Sequence, residues 1–214
     1  MSSKTVTVFD YGLGNLYSVC RALEHVGAEV RLVDTPPRPG EIERLVVPGV
    51  GAFGDCVAGL RKRGMFDAVR AYAETGRPFL GICVGMQMLF DVGEEFGEHE
   101  GLGLIPGRVV GIPPTTADGA PHRLPHIGWA PLLRPDGADW SGSALDGIDP
   151  GEFVYFVHSF EAKPTDPAHR IAVYDYDGHA VTAAVRRDNI VGTQFHPERS
   201  GPVGLRILAR FLTL

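Results

Sequence analysis

Residues 77–91 read RPFLGICVGMQMLFD, and this stretch decides the fold. Residues 78–82 form an apolar run of the length that a buried strand needs. Residues 84–90 contain only one glycine, at the start, and otherwise good helix formers, so a helix is expected over 84–90. Between the two lies Cys83, with Gly81 and Gly85 two residues away on either side. A sharp reversal from strand to helix leaves no room for side chains at such flanking positions. The pattern Gly-x-Cys-x-Gly is therefore a nucleophile elbow with sulfur in place of the serine oxygen. It sets the thiol at the first turn of a helix, where unpaired N–H groups and the helix dipole favour an anion. The anion is the form in which cysteine attacks. A small apolar cysteine packed at a strand–helix junction would satisfy the same spacing, so partners must be sought elsewhere in the chain.

Upstream, residues 5–9 read as a strand, a loop at 10–15 follows, and Leu16, Val19, Leu23 and Val26 recur at helical spacing until Gly27. Strands are expected at 29–33 and 44–47, with a Pro-rich turn at 35–40 between them. Helices are expected near 52–61 and 65–75. This alternation predicts a mostly parallel sheet covered by helices. Downstream the character changes. Residues 93–103 make an acidic, glycine-rich loop. Strand-like pieces follow at 107–112, 123–130, 152–160, 170–176, 180–186 and 190–195, with hairpin turns at 175–178 and 186–189. These are expected to extend the sheet in antiparallel fashion. Residues 202–214 read as an amphipathic closing helix, and 115–121 as the most mobile loop.

The chain has 214 residues, which suits one α/β domain spanning 1–214. Its net charge of −6 argues against a nucleic-acid surface. No apolar run reaches the length of a membrane span. The opening residues lack the apolar core of a signal peptide. Cys20, Cys56 and Cys83 are far apart and contain no CxxC, which reads as free thiols in a reducing cytoplasm. No zinc-type spacing is present, so neither a metal nor another cofactor is expected.

A thiol nucleophile needs a base, and the base an orienting group. His196 and Glu198, at the end of the last expected strand, are two residues apart and so share a face of extended chain. A carboxylate there would orient the imidazole and stabilise its cation. A surface histidine beside a surface acid is the plain alternative. The oxyanion of acyl transfer needs donors: the N–H of Val84 is one, and the loop at 48–51, carrying Val50, offers a second. Gly49, Gly51 and Gly54 also satisfy GxGxxG, the dinucleotide fingerprint, but lie after the wrong strand and lack the acidic residue that should follow.

Residues 81–87 (GICVGMQ) together with 195–198 (FHPE) resemble the signature of class I glutamine amidotransferases. DYGLGN at 10–15, VPGVGAFG at 47–54, PHIGW at 125–129 and YFVHS at 155–159 resemble, more narrowly, the glutaminase subunits of imidazole glycerol phosphate synthases, a family of histidine biosynthesis. The blocks run from the first strand to the last helix. The resemblance implies a flavodoxin-like, mostly parallel central sheet with helices on both faces and an antiparallel C-terminal extension. It implies that Cys83 attacks the L-glutamine amide, forming a glutamyl thioester. His196 then moves the proton and Glu198 orients His196. Gln87, Gly51 and Ser159 would hold the substrate. The ammonia would pass, within a heterodimer, to a (β/α)8 cyclase subunit that converts PRFAR into imidazole glycerol phosphate and AICAR. Asn15, Trp129, Tyr155, His158 and Arg199 would face that subunit, although core packing would also explain a tryptophan. The chain departs from the usual pattern at Val84, Phe160 and Arg199, where Leu, Tyr and Lys are more usual. Three rival readings remain open here: another class I glutaminase, a stand-alone γ-glutamyl cysteine hydrolase, and a silent binding module.

Overall fold

A computed structural model describes residues 4–214. The first three residues of the stretch read for a signal peptide lie outside the described residues. In chain order the elements are β1 (Thr5–Phe9), α1 (Leu16–His25), β2 (Glu29–Val33), β3 (Leu45–Gly49), α2 (Phe53–Lys62), α3 (Met65–Ala73), β4 (Phe79–Cys83), α4 (Val84–Gln87), β5 (Phe90–Gly93), β6 (His99–Glu100), β7 (Ile105–Gly111), β8 (His126–Pro131), β9 (Phe153–His158), β10 (Phe160–Pro164), β11 (Arg170–Tyr176), β12 (His179–Arg187), β13 (Ile190–Thr193) and α5 (Gly201–Phe211).

The central sheet has seven strands in the order β11-β12-β13-β4-β3-β1-β2. From β2 to β13 neighbouring strands are parallel, and β12 and β11 are added antiparallel. The expected mostly parallel sheet with an antiparallel extension is thus what forms. β1, β3 and β4 are buried along their whole length, as strands covered on both faces must be, which is why they read as unbroken apolar runs. The chain steps from β1 outward to β2, then from β3 the opposite way to β4. Crossovers are right-handed, so α1 falls on one face and α2 with α3 on the other. α5 packs on α1, and Ile207, Leu208 and Phe211 join the same apolar core as Val19 and Leu23. The parallel strands all end on one side, where the sites of such sheets form.

Four expectations need correction. The helix expected over 84–90 stops at Gln87. The Leu89 carbonyl accepts the N–H groups of both Leu104 and Ile105, and this long-range pairing pulls Phe90 into β5 despite its helix-compatible neighbours. The downstream half does not simply extend the central sheet: β10-β7-β5-β6 form a second sheet and β8-β9 a ribbon. The strand expected over 152–160 breaks at Ser159, passing from the ribbon to the second sheet. The 115–121 segment is tied down rather than loose. Thr115 bridges Pro121, the Ala117 N–H donates to the Asp177 carbonyl, and a His179 ring nitrogen lies 2.8 Å from the Thr115 carbonyl.

Candidate active site

Cys83 ends β4 with φ 56° and ψ −114°, a conformation that non-glycine residues adopt only at a cost of roughly 1–3 kcal/mol. The surrounding backbone holds it there. A β-carbon on Gly81 would sit 2.6 Å from the Gly85 carbonyl oxygen, and one on Gly85 would run into the Val47 carbonyl. The two glycines of the motif are therefore places where backbones touch. Cys83 stands at the end of the strand with 4% of the residue exposed. With only the four residues of α4 behind it, the anion gains little from a macrodipole. What remains is the N–H of Val84, which has no acceptor within so short a helix.

His196 and Glu198 come to Cys83 from beyond β13. The Glu198 carboxylate accepts from His196 Nδ1 at 2.8 Å, with both side chains buried. This bond fixes the tautomer and leaves Nε2 for the nucleophile. Nε2 is buried and makes no hydrogen bond in this arrangement, yet Cys83 acts on it. Burial opposes the imidazolium, but Cys83 and Glu198 together outweigh burial and raise the His196 pKa above its ordinary range. The three residues brought together from positions 83, 196 and 198 can thus hold a thiolate–imidazolium pair.

One side chain not expected at the site, Gln194, adjoins the sulfur, and it links to Gln87. Gln194 Nε2 lies 3.7 Å from Cys83 Sγ, and Gln194 Oε1 accepts from Gln87 Nε2 at 2.9 Å. Gln87 Nε2 also donates to the Phe160 carbonyl at 3.1 Å. Strand parity was the available signal for Gln194: it stands two residues before His196 and so faces the same way.

Beside this cluster is a cavity of about 370 Å³, lined by Gly51, Gln87 and Ser159, as expected for substrate residues, and also by Glu95, Phe96 and His158. Glu95 sat unremarked in the acidic loop; its Oε2 accepts the Phe53 N–H at 2.8 Å. A larger cavity, about 1130 Å³, opens between Pro135–Asp139 and Arg186–Asp188. Its lining holds no cysteine and none of the residues around Cys83, so the smaller one is the candidate substrate site.

The loop at 48–51 is anchored by its carbonyls. Tyr11 donates to the Pro48 carbonyl at 2.6 Å. Burial pushes the Cys56 thiol up to about 11, so it stays protonated and donates to the Val50 carbonyl at 3.4 Å. Tyr11 is accordingly buried. The glycines of the apparent dinucleotide fingerprint have other duties. A β-carbon on Gly49 would meet the Tyr11 hydroxyl, and one on Gly54 the His99 ring. The Glu95 carboxylate occupies the start of α2, where a pyrophosphate would have to sit.

Of the expected interface residues, Trp129, Tyr155 and Arg199 form one outward patch. Trp129 is 52% exposed, which excludes the core reading. Its ring meets Tyr155 edge-on at 5.9 Å, and the Arg199 guanidinium lies 4.6 Å over the Tyr155 ring. Asn15 begins α1 and adjoins Val50 and Glu198. His158 corrects the expectation: it is buried. β9 alternates in exposure, and positions 155 and 158, three apart, cannot both face outward. His158 donates from Nδ1 to the Phe160 carbonyl at 2.8 Å, and its Nε2 accepts from the Tyr174 hydroxyl, also at 2.8 Å. Burial pushes its pKa down to about 3.

Residues 7–214 match the family of class-I glutamine amidotransferases. The HisH 1 subunit of imidazole glycerol phosphate synthase from Legionella pneumophila (strain Lens) is 48% identical over 211 residues, 98% of this chain and 99% of that protein. The HisH subunit from Syntrophotalea carbinolica is 46% identical over 209 residues, covering 96% and 98%. Among solved structures, PurLQS from Thermotoga maritima superposes with a TM-score of 0.74 at 21% identity, over 100% of this chain and 99% of that one. A crystal structure of a glutamine amidotransferase superposes with a TM-score of 0.70 at 20% identity, over 98% and 99%. The two superpositions speak for the fold alone, while the match along residues 7–214 and the near-half identity to full-length relatives place the chain: it belongs to the class-I glutamine amidotransferase family, in the branch of the imidazole glycerol phosphate synthase HisH subunits.

Proposed function

We propose that the chain hydrolyses L-glutamine and delivers the ammonia to the cyclase subunit of an imidazole glycerol phosphate synthase, as a heterodimer in histidine biosynthesis. The observation that carries this reading is the buried His196–Glu198 pair, whose free Nε2 is under the influence of the strained Cys83. The Cys83 thiolate attacks the side-chain amide carbon. His196 gives its proton to the leaving nitrogen, and ammonia departs from a glutamyl thioester. Water then loses a proton to His196 and attacks the thioester. Glutamate leaves and the thiolate–imidazolium pair is restored. The Val84 N–H and a Val50 N–H turned toward the site would hold the oxyanion, each worth about 10²–10³ in rate. Gln87, Gly51 and Ser159 would hold the amino acid, with the Glu95 carboxylate available to its ammonium group.

Two features support dependence on a partner. Cys83 is nearly covered and is not among the residues that line the cavity. The Trp129–Tyr155–Arg199 patch is apolar and cationic, a composition common at interface centres, and with Asn15 it would meet the cyclase. Turning the Val50 peptide on assembly would complete the oxyanion hole. The test is glutamine hydrolysis by the chain alone and with the cyclase subunit and its phosphoribosyl ligand. A rise of at least about a hundredfold is expected, the worth of one donor. Cys83→Ser should abolish it, while leaving the cyclase reaction with supplied ammonia intact. Full activity without a partner would instead favour a stand-alone hydrolase.

A further inference from the structure

The amides of Gln87 and Gln194 lie in series between the cavity and the sulfur, and their polarity follows from their contacts. The Phe160 carbonyl can only accept, so the Gln87 atom 3.1 Å from it is the nitrogen. That nitrogen's other contact, at 2.9 Å, must accept as well, so it is Gln194 Oε1. Gln194 therefore turns its nitrogen toward Cys83 Sγ, 3.7 Å away. Flipping either amide would set oxygen against oxygen or nitrogen against nitrogen. We infer that Gln194 is a positioning residue: its Nε2–H donates to the Cys83 thiolate while its Oε1 holds Gln87, tying the ionisation of the nucleophile to the orientation of the amide that lines the substrate cavity.

A thiolate accepts such a bond far better than a thiol, so the contact favours the anion and aims it. Once the sulfur is acylated its charge is gone and the contact weakens. Gln87, with both N–H bonds engaged, has its own Oε1 left to accept from a ligand. The other titratable groups acting on the sulfur's surroundings are His196, Glu198 through His196, Tyr11 and Cys56. Tyr11 and Cys56 spend their protons on the Pro48 and Val50 carbonyls, and the His196 proton is the one that must move during reaction. Gln194 alone among these neighbours offers the sulfur a fixed, neutral donor.

The inference rests on Cys83 being the nucleophile of the proposed function, so its test reads the sulfur rather than glutamine. Iodoacetamide labelling of Cys83 is followed by peptide mass against pH in the parent chain, in Gln194→Leu and in Gln194→Glu. The leucine removes both contacts; the glutamate keeps the acceptor for Gln87 and sets a carboxylate beside the sulfur. The labelling midpoint is expected to rise by about one pH unit with leucine and by more with glutamate. Buried Cys56 is the internal control, staying slow while the core stands; if leucine exposes it, the glutamate variant, of nearly unchanged volume, decides. Midpoints that match the parent in a folded variant overturn the inference, whatever the catalytic rate. Shifted midpoints in a chain that never hydrolyses glutamine would uphold it and sink the function instead.

Discussion

Two buried imidazoles, His196 and His158, sit close to the same cluster, and their pKa values move in opposite directions. His196 leans on a carboxylate and faces a sulfur; their combined effect exceeds the cost of burial and raises its pKa. His158 leans on a carbonyl and a phenol, burial has no opposing charge to meet, and its pKa falls to about 3. Burial is common to both, so the neighbours decide which ring carries charge. In the proposed mechanism one ring moves protons, while the other is a fixed strut. Through the Phe160 carbonyl, which accepts from both His158 and Gln87, the neutral ring helps shape the corner that lines the cavity.

The sharpest way to break this contrast is Glu198→Gln, which gives His196 a neutral partner like those of His158. Loss of the orienting carboxylate in a comparable triad costs about 10⁴ in kcat. A drop of roughly 10³–10⁴ in kcat for glutamine hydrolysis is expected, with circular dichroism unchanged. A drop of less than tenfold would mean that the carboxylate does not set the imidazole's charge.

Acid unfolding tests the other ring. The folded value for His158 is depressed to about 3, against about 6.5 in an unfolded chain. Between these values the unfolded state binds more protons, so stability present above about pH 6.5 is lost as pH falls toward 3. His126, whose pKa burial also lowers, adds in the same direction. His196 has the reverse sign: its contribution is full below about 6.5 and is lost as pH rises through its raised folded value. Urea midpoints measured from pH 7 to 4 should fall, and His158→Asn should flatten that fall. Equal slopes in the two proteins would remove His158 from the account.

Tyr174→Phe is a smaller perturbation. The hydroxyl donates to His158 Nε2 and lies 3.0 Å from His126 Nδ1, so two buried groups lose a partner, at about 1–3 kcal/mol each. A lower Tm and a raised KM for glutamine, with kcat within about threefold, are expected; kinetic assays alongside thermal melts separate this from damage to the triad. Cys20→Ser should be the least consequential change. Cys20 is half-buried on α1 and does not line the cavity beside Cys83, so stability within about 0.5 kcal/mol of the parent and an unaltered rate are expected from melts and assays. Cys56 is a different case, because its S–H holds the Val50 carbonyl.

What could be read in the sequence follows from how local the cause was. The parallel strands are unbroken apolar runs, the elbow is five residues long, and His196 with Glu198 obey strand parity; each is a short-range pattern. The end of α4 was not legible, because it is set by Leu104 and Ile105 bonding to Leu89 from well downstream. The break at Ser159 depends on which sheet each flanking strand joins. Glu95 sits in a loop with several other acids, and nothing in its neighbours marks it as the carboxylate that takes the first N–H of α2. His158 and Gln194 were legible in principle, since counting along the pleat places one inside and the other beside the base.

The crossing of backbones at Gly81 and Gly85 has a consequence for drift. Cys83 is held at positive φ against its own preference, so the nucleophile is a standing cost to the fold. Cys83→Gly should yield a dead protein that is more stable, the familiar trade between activity and stability. The flanking glycines have no such freedom: a side chain at Gly85 strikes the Val47 carbonyl and forces α4 away from β3. A descendant of this chain that gave up chemistry and kept its fold would shed the cysteine first and the two glycines last, leaving an elbow with nothing to present.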